Sequence, residues 1–167
     1  MNSCATLFTD FSARKLRQLE SRIADCLGRL ADEQIWARHA ETENAVGNLV
    51  LHLAGNARQW VVAAVGGRED TRKRDAEFAA RGGHSGADLA AHLRAVVEEA
   101  AGVIKTLDAD RLSERVTVQD YQVTVLEAVY HVVEHFAGHT GQIIYATKLM
   151  TGTDLGYYGP LKRESTP

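Results

Sequence analysis

No proline occurs before Pro160, so nothing in residues 1–159 forces a helix to break. Within that stretch four segments repeat apolar residues at steps of three and four. Residues 8–36 align Leu16, Leu19, Ile23, Leu27 and Leu30 on one stripe. Residues 45–65 follow Asn44, a candidate cap, and carry Val46, Leu49, Val50, Leu53 and Trp60 up to Gly66-Gly67. Residues 86–107 open on Ser85-x-x-Asp88, a capping-box pattern, and carry Leu89, Leu93, Val96 and Val97. Residues 125–150 open on Thr124-x-x-Glu127 in the same way. Each stripe needs another to cover it. The expectation is an all-α four-helix bundle forming one domain over residues 1–167.

The connecting segments are less regular. Residues 68–83 are charged and glycine-bounded and read as a loop with a short helical turn. Residues 115–123 alternate β-branched side chains and read as irregular or extended, with no second strand in view to pair with. The tail, residues 151–167, has no periodicity.

Composition excludes several classes of function. With 19 basic and 22 acidic residues the net charge is −3, which gives no electrostatic case for nucleic acid or an anionic membrane. No run of about 18 apolar residues is present to span a bilayer. The chain starts without a basic-then-apolar leader, and Cys4 and Cys26 form no CxxC pair or disulfide framework. A cytoplasmic protein is therefore expected.

Seven histidines remain, three of them in His131-Val-Val-Glu-His135-Phe-Ala-Gly-His139. Residues four apart share a helix face, roughly 6 Å apart along the axis, so two imidazoles there can reach one metal ion. Val125, Val129, Val132, Phe136 and Ile143 mark the apolar centre of this helix. At about 100° per residue, His139 falls nearest that centre, His135 next, and His131 out on the rim. Gly138 and Gly141 flank His139, leaving room for another helix or a ligand.

A catalytic ion commonly takes three protein ligands and keeps one open position. His52 is the third candidate, because it shares a strip with Asn48, Asn56 and Gln59, uncharged polar groups that suit a pocket inside a bundle. An HxxxH pair alone arises often on helices that hold no metal. The third histidine in register and the uncharged strip shift the reading to a metal site of His52, His135 and His139.

Other chemistry-bearing residues read as structural. His39, His84 and His92 have no histidine partner at helical spacing. Trp36, Trp60, Phe136 and Cys26 read as core. Glu134 lies about 100° from His135 and faces solvent, so it is not assigned as a general base.

Two segments, Glu43-Asn-Ala-Val-Gly-Asn-Leu-Val-Leu-His52-Leu-Ala-Gly-Asn-Ala-Arg-Gln-Trp60 and His131-Val-Val-Glu-His135-Phe-Ala-Gly-His139-Thr-Gly-Gln142-Ile, resemble the DinB/YfiT-like superfamily of metal-binding helical bundles. The histidine-rich segment is similar to that family's closing HxxxH pattern followed by Gly-Gln, here Gly141-Gln142. Through helix order and length the resemblance covers residues 8 to 150. It implies a four-helix bundle with one metal on a second-helix histidine and two fourth-helix histidines, which maps to His52, His135 and His139. Relatives include S-transferases and isomerases using low-molecular-weight thiols, and some are labelled hydrolases.

The resemblance thus implies a divalent cofactor, zinc or nickel, and a small thiol or electrophile as substrate. No thiol-binding signature is present and no catalytic residue is assigned. A non-catalytic metal-binding or stress-response module is the alternative, as is a metal-dependent hydrolase. Relatives often pair, so a homodimer is expected, with the glycine-rich tail lying against the second copy through Leu155, Tyr157 and Tyr158.

Overall fold

The computed structural model of the protein describes residues 3–157. Four long helical elements pack so that α1 (Cys4–Leu27) and α3 (Val46–Ala57) each lie against both α5 (Gly86–Lys105) and α7 (Val125–Thr151). The all-α bundle is therefore as expected. Leu16, Ile23, Val50, Leu53, Leu93, Ile104, Val132, Phe136 and Ile143 are fully buried and join the four stripes in one core. Both capping boxes form: Ser85 Oγ and Thr124 Oγ1 accept from the backbone N–H of Asp88 and Glu127.

Several boundaries differ from the sequence reading. The first helix starts at Cys4, capped by Ser3, and stops at Leu27, where the Gly28 N–H closes on the Ala24 carbonyl at 3.0 Å. The remainder of the expected segment is a separate turn, α2 (Asp32–Ile35). A Cβ on Gly86 would lie 3.1 Å from the Leu27 carbonyl oxygen and 2.9 Å from Ile35 Cδ1, so the break is where α5 begins its packing.

Asn44 does not cap α3. Ala45 is the cap residue, and its N–H donates to Asn48 Oδ1 at 3.2 Å. The same helix changes to a π-helical stretch over Arg58–Val65, with Gly66 N–H bonding the Val61 carbonyl at 2.9 Å. Such widening of a helix is frequent at functional sites.

The segment 115–123 supplies its own partner. β1 (Arg115–Val118) and β2 (Tyr121–Thr124) pair antiparallel with Val116 opposite Val123, joined by Gln119 and Asp120 at φ 50° and 68°. Two consecutive left-handed residues make the tight turn that matches strand twist. Two further short helices, α4 (Arg74–Ala79) and α6 (Ala109–Ser113), lie in the connections.

Leu155 is buried in the bundle, and Tyr157 Oη bonds Asp25 Oδ2 at 2.7 Å and the Arg22 carbonyl at 3.1 Å. These two tail anchors engage their own chain, and Tyr158 lies outside the described residues.

Candidate metal centre

α3 and α7 run antiparallel across the centre of the bundle, with Trp60 against His131 and His52 against His135 and His139. The ring centroids of the triad are 4.9 Å (His52–His135), 5.3 Å (His52–His139) and 4.5 Å (His135–His139) apart. One nitrogen from each of the three lies within 4.8 Å of the others, and the Nε2 atoms of His52 and His135 are 2.9 Å apart. Two imidazole nitrogens on one tetrahedral ion stand roughly 3.3 Å apart at bond lengths near 2.0–2.1 Å. Small side-chain shifts therefore suffice to seat an ion. The structure brings His52, His135 and His139 together as the spacing requires.

Outer contacts decide which nitrogen of each ring is free. His139 Nδ1 lies 2.7 Å from Gln142 Oε1, which as an acceptor holds the proton on Nδ1 and leaves Nε2 with its lone pair. Gln142 is the glutamine of the Gly-Gln pair after the histidines. His52 Nδ1 lies 3.2 Å from Glu77 Oε2, which can accept from Nδ1–H and so free Nε2, and 3.0 Å from Arg72 Nη2, a donor. Arg72 holds that carboxylate bidentately, Nε to Oε1 and Nη2 to Oε2, each at 2.8 Å. Burial raises the pKa of Glu77, but hydrogen bonds from Arg72 and His52 outweigh it and hold the carboxyl below the ordinary range.

From sequence, Glu77 and Arg72 fall in a loop. Their position comes from Asn48, whose Nδ2 donates to the carbonyls of Glu77 (2.8 Å) and Ala80 (3.0 Å) and so fastens α4 to α3. Asn48 therefore serves the groups behind His52 rather than the ion. Gly55 completes the fit, since a Cβ there would fall 2.0 Å from Glu77 Oε1 and 2.9 Å from Arg72 Nε. No period in residues 68–83 marks Glu77. The one sequence signal is the lack of a charged partner for His52 on its own helix.

His131 lies outside the triad, one turn before His135. It is half-buried, its ring 4.1 Å from that of Trp60 and its Nε2 3.4 Å from Asn56 Nδ2. The π-helical stretch carries Trp60 to this place. His39 is exposed and pairs with Glu43, while His84 and His92 line, with Arg58, a cleft that has Arg72 and Glu77 in its wall. Glu134 is exposed, and Cys26 and Phe136 are buried.

Two of the three rings are held against protonation. Burial, then the neighbouring His139 and His52, push His135 down to about 3. Burial also lowers His139, against the hydrogen bond to Gln142. Three imidazoles, two of them with their outer nitrogens hydrogen-bonded, form a donor set that fits a divalent transition metal.

Comparison with known proteins agrees with this architecture. A conserved protein from Enterococcus faecalis has a similar structure, with a TM-score of 0.73 at 17% identity, covering 87% of this chain and 98% of that one. The DinB-like protein YjoA from Bacillus subtilis is similar with a TM-score of 0.66 at 16% identity, covering 88% and 96%. At such identities the likeness is one of fold, and that fold is DinB-like. No curated protein matches the chain. Residues 3–158 match the family described as "Protein of unknown function (DUF1572)", and the chain belongs to that family.

Proposed function

We propose that the protein is a metal-dependent enzyme of the thiol S-transferase type, working at a three-histidine site. The observation that carries the reading is the convergence of His52, His135 and His139, with nitrogens within 4.8 Å of one another. When bound, a zinc or nickel ion would lower the pKa of a thiol or water at the site and so supply a nucleophile near neutral pH. The chain's own residues do the rest. The three imidazoles bind, Gln142 orients His139 by holding a proton on Nδ1, and Glu77 with Arg72 positions the His52 ring through its Nδ1. Arg72 keeps Glu77 ionised, and Phe78, 4.8 Å from the His52 ring, keeps water from that side.

Metal analysis of purified protein tests the site. His52→Ala, His135→Ala and His139→Ala should each lower metal content sharply, and His131→Ala should lower it less. Equal metal in wild type and His135→Ala would remove the site. A metal-dependent rate of conjugating a small thiol to an electrophile, lost in His139→Ala with the fold kept, would support the transferase. Absence of any such rate over a broad panel leaves a non-catalytic binding module, and metal-dependent ester or amide cleavage would instead make it a hydrolase.

A further inference from the structure

Of the triad, His139 is the member that borders the cleft between the ends of α3 and α7. Glu77 and Phe78 back His52, and the Trp60–His131 pair fills the groove between α3 and α7 on the side of the α7 N-terminus. In the other direction this cleft, of about 380 Å³, has His139 in its wall. It continues between Val46 and Leu49 of α3 and Tyr145, Leu149 and Met150 of α7. Met150 lies eleven residue steps along the helix from His139, roughly 16 Å of groove at 1.5 Å per residue. Tyr145 and Leu149 are 66% and 68% exposed, large apolar side chains standing at its edge with no cover among the described residues.

The charged group in this wall, Glu43, is already engaged. Its Oε2 accepts from the His39 N–H at 2.7 Å and lies 3.3 Å from His39 Nδ1. Among the described residues the wall holds no Lys or Arg, and its polar groups are Glu43, Asn44, Gln142 and the Tyr145 hydroxyl beside His139, so an anionic tail meets a carboxylate and no cationic side chain there. The described part of the tail does not fill the groove either, because Leu155 is buried and Tyr157 is bonded to α1.

We infer that the substrate carries an uncharged, apolar tail of several carbons, which lies in this groove while its head group reaches the triad. The inference rests on the metal-site reading above and adds the class of molecule the site selects. Tyr145 and Leu149 are then specificity-determining residues that act by covering the tail.

The test uses cobalt-loaded protein and straight-chain thiols from ethanethiol to hexanethiol, with binding followed by the thiolate-to-cobalt absorption band. Each methylene buried should tighten binding by up to about fourfold, the equivalent of about 0.8 kcal/mol. Leu149→Arg should flatten that dependence on chain length, and Leu126→Arg, remote from the groove, should retain it. No cobalt uptake overturns the metal reading and the inference with it; cobalt uptake with no thiolate band from any thiol keeps the metal site and overturns the thiol reading and the inference. Equal affinities for ethanethiol and hexanethiol overturn the inference alone. So does a dimer in light scattering that Leu149→Arg dissociates, because a second copy would then occupy the groove.

Discussion

Glu77 touches no reacting atom, yet it sets what His52 can do. Removing a hydrogen-bond partner behind a metal-bound histidine typically weakens metal affinity by about 10–100-fold. Glu77→Gln should fall in that range. Gln142→Ala should weaken binding similarly through His139, and competition with a chromophoric chelator measures both. The pH behaviour follows from His135. In the folded, metal-free protein burial and its histidine neighbours lower it to about 3, against about 6.5 in an unfolded chain. Between those values the unfolded state takes up a proton that the folded state refuses, so stability falls as pH is lowered from about 6.5 toward 3. At His135, protons should thus compete with a metal only below the range of a free imidazole. NMR of metal-free protein should show no titration of His135 between about pH 5 and 8, and a midpoint in that window would contradict the buried geometry.

At the scale of elements, the glycines of α7 and α3 divide in a way the sequence does not show. Gly138 and Gly141 have nothing within 4 Å of a built Cβ, so no helix makes the close approach expected from their place beside His139. Their alanine variants should each raise stability by roughly 1 kcal/mol. Gly55→Ala should cost about 1–3 kcal/mol, because the carboxylate it would strike is pinned by Arg72 and His52. Thermal or urea unfolding checks all three. The four long helices were legible because their stripes recur over many turns, and the triad because helical phase converts spacing directly into a shared face. The groups behind the triad were not, since Glu77 reaches His52 through α4, whose six residues carry no period and are positioned by Asn48 from another element. The hairpin was hidden for a similar reason: Gln119-Asp120 lacks the glycine that usually marks a tight turn.

At the scale of the whole molecule, the apolar side chains left uncovered include Leu7 and Phe11 on α1 and Tyr130 on α7, whereas Leu155 and Tyr157 serve the chain's own fold. If two copies pair, as expected from the resemblance, this face is better placed to join them than the tail. Light scattering should then give twice 18.3 kDa, and Phe11→Glu should return it to one chain. A single-chain mass for the wild type would exclude pairing. The junction of α3 and α7 has a further consequence for the unfolded chain. His52 and His135 are 83 residues apart in sequence, so an ion held by both is a removable tie around half the polypeptide. A covalent link closing a loop of that length would restrict the unfolded ensemble by about 4–5 kcal/mol, which sets an upper scale for a reversible one. Stripping the ion with a chelator should lower the melting temperature while helical circular dichroism persists, because the buried stripes remain. Amide hydrogen exchange should then quicken chiefly along α3 and α7, the two helices that the tie draws together.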